Sequence, residues 1–417
     1  MRHMVSPDEA RHQVLEQVHF LPSQTIAHRD ALHRTLACDV QSALDLPPWD
    51  NSAMDGYAVL SSDLHNASPA APRTLQVAET VAAGALSQTK VLCGACARIM
   101  TGAPVPPGAD AVVMREQTRE SQNSVQFMTA AEPGQNIRRR GSDIARDEIA
   151  LFAGRVIRAA EWGLLASLGQ AQVDVSQQPR VAIITTGEEL VDVESDLRDG
   201  QIHDSNSWAL AGLAQSAGAQ VVAMRHVGDS LEEFERVALE LLPGCDALIS
   251  SGGVSMGDFD PVRDVLPRIA QVHFWKIAMK PGKPVMFATR DFDHRKVPIW
   301  GLPGNPVSVM VAWEQFVRPA LLKMQNRRAL NRIEVRAMID GPHRSPSGKV
   351  EFVRAFVAPD SQSSTGWTAR LAGDQSSGRL SSMTRANALL VVPSEDTQLE
   401  AGAEVVAQMT EWPETEI

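Results

Sequence analysis

The sequence predicts a multidomain α/β protein, and three observations carry that expectation. Between Val181 and Ile249, apolar runs of strand length alternate with helical periodicity, the order that builds a parallel sheet covered by helices. The stretches 74–127 and 335–409 instead hold short apolar runs separated by turn residues, as small β folds do. At 417 residues the chain exceeds one ordinary core, so about two to four domains are expected. The pattern changes place a helical and linking part over 1–45 and 139–178, with a small β part inserted over 46–138. A central α/β part follows over 179–326, and a C-terminal β-barrel-like part over 327–417.

Taken in order, Ser6 followed by Pro7, Asp8 and Glu9 is a helix start, and Ala10, Val14 and Val18 fall on one face of the helix it opens. In PPWDNSAMDGYAV the prolines halt regular structure, and Asn51, Ser52 and Asp55 share a loop before a strand at Tyr57–Val59. Strands of the small β part are expected around Val77, Val91–Leu92, Ile99–Met100 and Ala111–Met114, with Thr101 at the turn of RIMTGAPVPPGAD. Arg138, Arg139 and Arg140 read either as a phosphate contact or as a solvated basic edge. Arg158–Leu168 has helical spacing and stops at Gly169, and Gln178 and Pro179 mark a boundary.

The central part opens with a strand at Val181–Ile184 that runs into TTGEEL. A helix at Trp208–Ala217, a strand at Val221–Met224 and a helix capped by Ser230 and Glu233 follow. Ala247–Ile249 then delivers SSGGVSMGDFD, where Gly252 and Gly253 permit positive φ and a close backbone approach to a ligand. Pro261 starts the next helix, and in such sheets ligands bind beyond the carboxyl ends of the strands. Asp258 reads as a turn residue or a functional carboxylate, and Asp260 as a helix cap or a functional carboxylate. Lys276, Lys280 and Lys283 surround a Pro-Gly turn, either as an anion clamp or as surface lysines. Ile299 and Trp300 lead into GLPGNP, with Asn305 as cap and Pro306 at the first helical position. Five strands are expected at Val335–Ile339, Lys349–Val357, Trp367–Leu371, Ala388–Val392 and Val405–Met409.

Composition narrows the function classes. With 39 basic and 50 acidic residues the net charge is -11, which argues against a general attraction to nucleic acid or to an anionic membrane. No run approaches the ~20 apolar residues of a membrane span, and MRHMVSPDEARH lacks a signal-peptide core, so a cytoplasmic location is expected. Cys38, Cys93, Cys96 and Cys245 make no disulfide framework, and the C-x-x-C of Cys93 and Cys96 has no second pair to complete a zinc site. The 11 histidines contain no H-E-x-x-H, so any metal is expected to be hard and oxygen-bound.

Six motifs in order, DNSAMDGYAV, RIMTGAPVP, TTGEEL, SSGGVSMGDFD, KPGKP and GLPGNP, resemble the MoeA family of molybdopterin molybdenumtransferases. The resemblance implies a cytoplasmic homodimer whose central doubly wound domain, of molybdopterin-binding type, takes adenylylated molybdopterin. It implies insertion of molybdate with release of AMP, assisted by Mg²⁺. Carried residue by residue, it points to Asp55, Thr101, Asp143, Glu189, Asp229 and Asp260 as catalytic, with Glu189, Asp229 and Asp260 toward Mg²⁺. Ser251, Gly252, Gly253, Ser255, Lys276, Lys280, Pro303 and Pro306 would bind the pterin and the oxyanions. The site is expected at the dimer interface, with Asp55 and Thr101 serving the other subunit. An adenylyltransferase and the recipient molybdoenzymes are the implied protein partners. Two positions depart from the pattern: Pro261 follows Asp260 where many relatives have Tyr, and Glu188 stands where Asp is common. A molybdopterin adenylyltransferase and a non-catalytic cofactor-binding scaffold are the competing readings.

Overall fold

The structure, a computed structural model, describes residues 4–254, 260–292, 295–345, 348–396 and 398–413. Ser255 and Asp258 lie outside these residues. The chain divides into two compact units: Asp39–Phe152 with Gly163–Gln170, and Met1–Cys38 with Ala153–Trp162 and Ala171–Ile417.

The smaller unit is built on a six-stranded sheet in the order Ala111–Met114, Gly56–Val59, Ala95–Ile99, Arg73–Val81, Ser124–Phe127, Thr118–Glu120. Tyr57, Val59, Leu75, Val113 and Phe127 form the core on one side of it. Gly56 is required where its strand meets Val113, because a Cβ there would lie 2.0 Å from the Val113 carbonyl oxygen. Val91–Leu92, expected as a strand, is not one. Val91 is buried as a core filler and donates its N–H to the Pro107 carbonyl, while a turn at Gly94 follows, so its hydrophobicity reflects packing and not pairing.

The larger unit holds a second six-stranded sheet. Its strands are β1 (Arg180–Thr186), β2 (Gln220–Val227), β3 (Ala247–Ser251), β4 (Gln271–Trp275), β5 (Met286–Phe292) and β6 (Arg295–Leu302), in the order β2-β1-β3-β6-β5-β4. The pairs β1–β2, β1–β3 and β3–β6 are parallel, whereas the hairpin strands β5 and β4 add antiparallel pairs at one edge. β1 is a continuous apolar run because both of its faces are covered. Val181 and Ile183 join one apolar cluster, while Ala182 and Ile184 join the other.

Helices α1 (Ser205–Ser216), α2 (Leu231–Leu241) and α3 (Pro261–Ile269) divide between these faces. α1 places Leu210, Ala211 and Ala214 in the first cluster, and α2 and α3 place Phe234, Val237, Val262, Val265 and Leu266 in the second. The sheet is therefore doubly wound. Each fully buried Leu, Val or Phe on these faces contributes roughly 1.5–3 kcal/mol. After β6 the chain forms α4 (Pro306–Ala312), a π-helical turn at Trp313–Val317 and α5 (Arg318–Met324), all packed on the first cluster. The helix Pro7–Gln17 packs there as well through Ala10 and Val14. It starts with a full capping box, Ser6 accepting from the Glu9 N–H and Glu9 from the Ser6 N–H.

The last part of this unit closes a five-stranded barrel from Glu334–Ile339, Val350–Pro359, Trp367–Leu371, Ala388–Val392 and Glu404–Met409. Closure comes from the pairing of Val350–Pro359 with both Trp367–Leu371 and Ala388–Val392. Val353, Ala355 and Val357 face its interior, while Phe352 joins the first cluster of the α/β part. Among the described residues no helix is long and apolar enough to cross a membrane.

Candidate functional site

Three adjacent strands of the larger unit, β1, β3 and β6, end at one cavity of about 740 Å³. Each strand breaks there for a local reason. β1 stops at Thr186 before Gly187 at φ 144°, β3 stops at Ser251 before Gly252 at φ 96° and Gly253 at φ 65°, and β6 stops at Leu302 before Pro303. Gly252 also approaches β1 closely: a Cβ on it would sit 2.6 Å from Thr186 Oγ1 and 2.7 Å from the Thr186 carbonyl oxygen. No L side chain fits that space, so the loop chemistry read from SSGG has a steric cause.

The loop ends are tied together by α1. Asp204 caps this helix by accepting the Ser207 N–H at 3.1 Å, and it also accepts Thr185 Oγ1 at 2.6 Å. Asn206 Nδ2 then donates to Ser251 Oγ at 2.9 Å and to the Gly304 carbonyl at 2.7 Å, and Ser251 Oγ donates to the Pro303 carbonyl at 3.1 Å. The sequence reading assigned nothing to Thr186, Asp204 or Asn206. The local signal was present, since Asp204 and Asn206 open a helix beyond TTGEEL, but their partners are strand ends distant in the chain. Gly378 and Leu380, from the C-terminal part, line the cavity too and carry no motif.

Three polar atoms of lining residues are buried and have no hydrogen-bond partner among the described residues: Thr186 Oγ1, Asn206 Oδ1 and Asp260 Oδ2. Native proteins rarely leave such groups unsatisfied. Asp260 occupies the N-cap position of α3, but its side chain makes no cap hydrogen bond. It is 6% exposed, with Arg263 Nη1 at 3.6 Å. Capping therefore explains its place in the chain and not its carboxylate.

Glu189, Asp229 and Asp260 line the same cavity, and Glu188 Oε1 accepts the Asp229 N–H at 3.2 Å. Burial raises the Asp229 carboxyl above its usual range, and the negative charges of Glu189, Glu188 and Asp260 add to the rise. Among the described residues, no three His, Cys, Asp or Glu side chains converge closely enough to cage a metal by themselves.

Of the expected ligand-binding residues, Ser251, Gly252, Gly253, Pro303 and Pro306 line this cavity, whereas Lys276 and Lys280 do not. Lys276, at φ 77°, lays its ammonium 4.0 Å from the centre of the Trp275 ring. Lys280 Nζ pairs with Glu351 Oε1 at 2.8 Å, and Glu351 Oε2 meets His343 Nε2 at 3.0 Å. Burial opposes the Glu351 charge, yet hydrogen bonds from His343 and Lys280 hold its carboxyl down at about 2.

The smaller unit carries the other expected residues. Asp55 Oδ1 accepts both the N–H and the hydroxyl of Thr101 at 2.7 Å, which holds this exposed carboxyl below its usual range. Asp143 is exposed, and its N–H is bonded to the Leu46 carbonyl at 2.9 Å. In the arginine run, Arg139 pairs with Asp50 and Arg140 with Asp45, so these two guanidiniums brace their own loop. Cys93 is exposed and donates to Asp63, and Cys96 is buried in the core.

Comparison with known proteins fits this geometry. The family model of the MoeA N-terminal region (domain I and II) matches residues 5–169. That of a probable molybdopterin binding domain matches 182–323, and that of the MoeA C-terminal region (domain IV) matches 337–408. A molybdopterin molybdenumtransferase of Haemophilus influenzae is 36% identical over 409 residues, 97% of this chain and 98% of that relative. The chain belongs to the MoeA family. A molybdopterin molybdenumtransferase 2 of Mycobacterium tuberculosis is likewise 36% identical, covering 96% of this chain and 98% of its own. The crystal structure of a MoeA molybdopterin biosynthesis protein from Pyrococcus horikoshii OT3 superposes with a TM-score of 0.83 at 28% identity. It covers 97% of this chain and 100% of that one. As a MoeA-family chain, this protein is a transferase of molybdenum cofactor biosynthesis.

Proposed function

We propose that this MoeA-family chain inserts molybdenum from molybdate into adenylylated molybdopterin and releases AMP. One observation carries the reading. The cavity at the ends of β1, β3 and β6 joins a backbone-lined loop suited to phosphate with three carboxylates suited to a hard cation, within the region matched by the molybdopterin-binding family model. In the reaction, molybdenum bonds to both dithiolene sulfurs as a molybdate oxygen leaves as water with the two thiol protons, and the oxygen of a second water bonds to phosphorus as the phosphate bond to AMP breaks.

The chain's own groups divide that work. The Gly252 and Gly253 loop takes the phosphates on its backbone N–H groups, and it is held against the end of β1, where a Cβ on Gly252 would meet Thr186. Asn206 holds Ser251 and the Gly304 carbonyl in register, and its Oδ1 and the Thr186 hydroxyl, which have no hydrogen-bond partner among the described residues, remain for the substrate. Mg²⁺ fits the acidic side. Asp260 Oδ2 is buried with no hydrogen-bond partner among the described residues and only the Arg263 guanidinium at 3.6 Å, and Asp229 is repelled by Glu189 and Asp260, which a cation would relieve. The lack of a three-residue cage among the described residues suits Mg²⁺, which keeps waters and takes substrate phosphates as ligands. When bound, Mg²⁺ supplies charge neutralisation at the phosphates and favours loss of AMP.

Carboxylates repel molybdate, so this oxyanion belongs on the opposite side of the pterin. Lys276 and Lys280 serve it in this reading, with Lys280 exchanging Glu351 for the oxyanion. Asp55, Thr101 and Asp143 complete the chemistry, Asp55 and Thr101 from the second subunit of a cytoplasmic homodimer. The adenylyltransferase would supply the substrate, and the molybdoenzymes would receive the product.

The test is AMP release from adenylylated molybdopterin by the purified protein, with and without molybdate and Mg²⁺, alongside reconstitution of a cofactor-free molybdoenzyme. Molybdate-dependent release with reconstitution is expected. Tight binding without release under any oxyanion would overturn the reading in favour of a scaffold, and ATP-dependent adenylylation by this chain alone would favour the adenylyltransferase.

A further inference from the structure

A second cavity of about 310 Å³ lies in the larger unit, between the helical run Pro306–Met324 and the C-terminal barrel. It shares no lining residue with the first cavity. Arg318, Arg327 and Arg332 line it together with Glu314 and Trp313.

The charges there do not balance. Glu314, 5% exposed at its side chain, receives Arg332 in a bidentate pair at 2.9 and 3.0 Å, and Arg318 Nε stands 3.8 Å from the same carboxylate. Arg318 otherwise donates to the Leu330 carbonyl at 3.0 Å. Arg327 donates to Thr35 Oγ1 at 3.2 Å and Gln325 Oε1 at 3.3 Å, both neutral. The other carboxylate on the wall, Glu411, is exposed. Burial, reinforced by Arg332, pushes Arg318 down to about 10, and burial lowers Arg327 as well. One well-paired carboxylate thus stands among three partly buried guanidiniums, an arrangement that is costly unless a further anion joins it.

Two more features define what that anion is. Trp313 is fully buried, and its Nε1 has no acceptor among the described residues. The rest of the wall is largely apolar, with Leu213, Met310, Met383 and Leu389 in it. The volume is at the small end of the range for ligand sites, which runs from about 300 Å³ upward.

We infer that this cavity binds a small organic anion, a carboxylate or phosphate monoester on an apolar body, whose oxygens meet Arg318 and Arg327 while the body packs on the Leu213 and Met383 side. Bare phosphate would leave the apolar wall uncovered, and a neutral molecule would leave the guanidiniums uncompensated. The site stands on its own residues and does not rest on the reaction proposed above.

The test uses the full-length protein and calorimetric titration with benzoate, phenyl phosphate, inorganic phosphate and benzyl alcohol, each paired with a melting curve. At least one of the two organic anions is expected to bind with a Kd below about 1 mM and to raise Tm. Which of them binds more tightly separates a carboxylate from a phosphate ligand. Arg318→Met should weaken binding by about tenfold or more, the usual effect of losing a charged hydrogen-bond donor. Leu213→Trp, which fills the apolar side and keeps every arginine, should weaken it too. Asp229→Asn, in the other cavity, should leave it unchanged, so failure here and failure of the proposed reaction are told apart. Four results overturn the inference: no binding of either organic anion to the parent, equal binding to parent, Arg318→Met and Leu213→Trp, binding of benzyl alcohol as tight as of benzoate, or inorganic phosphate as tight as phenyl phosphate. If a variant fails to fold, the two control ligands on the parent still decide.

Discussion

Replacing Gly252 with alanine tests the loop on which the site is built. Gly252 has φ 96°, a conformation that L side chains rarely adopt, and its added Cβ would lie 2.6 Å from Thr186 Oγ1 and 2.7 Å from the Thr186 carbonyl oxygen. The backbone strain costs about 1–3 kcal/mol. Forcing a methyl against the fixed end of β1 costs roughly another 1–3 kcal/mol. The sum, about 2–6 kcal/mol, is a large share of the roughly 5–15 kcal/mol that stabilises a domain. Gly304 is the internal control, since it lines the same cavity and a Cβ there meets only Gly252 Cα, at an ordinary 3.7 Å. Urea unfolding of the parent, Gly252→Ala and Gly304→Ala should place the first variant well below the other two. AMP release should fall at least as steeply in Gly252→Ala, because the loop proposed to hold the phosphates can accept the methyl only by moving away from Thr186. Equal midpoints and equal rates for all three proteins would refute both the steric argument and the placement of phosphate on this loop.

Three further outcomes follow from the charges. Glu351 is held at about 2 against a usual 4.5, so its ionised form is stabilised in the fold; at ~1.4 kcal/mol per pH unit this is about 3 kcal/mol. That stability is complete above about pH 4.5 and lost as pH falls toward 2, so the gap between parent and Glu351→Gln in chemical unfolding should be open at pH 7 and closed near pH 2. Asp229 has the opposite sign. Its raised pKa means that ionisation costs stability above that pKa, so Asp229→Asn should melt higher than the parent at pH 7 while losing on the order of a hundredfold in AMP release. A lower Tm for this variant would show that the carboxylates are not in conflict. Asp55 is exposed and its carboxylate is bonded to Thr101 alone among the described residues, so Asp55→Ala should lower the melting curve only slightly and lose activity. On the proposed homodimer, mixing Asp55→Ala with Asp229→Asn protein should restore activity, and no recovery would refute a site shared between subunits.

Much of the architecture was legible in the chain. The strands expected at Val181–Ile184, Trp367–Leu371 and Ala388–Val392 appear within Arg180–Thr186, Trp367–Leu371 and Ala388–Val392. Val181–Ile184 and Ala388–Val392 are continuous apolar runs and Trp367–Leu371 alternates apolar with polar residues, two patterns that at this length between turn residues admit few other structures. Helix starts were legible for a similar reason: Ser6 and Ser230 each accept the N–H three residues on, a bond made within one turn. Val91–Leu92 failed because only Val91 is buried while Leu92 is exposed, and pairing needs a neighbour that the sequence does not name.

By itself the sequence determined the family, the order of elements and the loops able to hold a ligand, because motif, glycine and capping chemistry act over a few residues. Tertiary structure decided which polar groups meet. It brought Glu189, Asp229 and Asp260 to one cavity, left Asp260 without a capping bond, and paired Lys280 with Glu351 of the barrel. It also collected Arg318, Arg327 and Arg332, which no motif marks, around a single buried carboxylate. The physical reason is the same in each case. A charge takes its character from burial and from its partners, and both are set by strand order and closure of the sheets, which local periodicity does not encode.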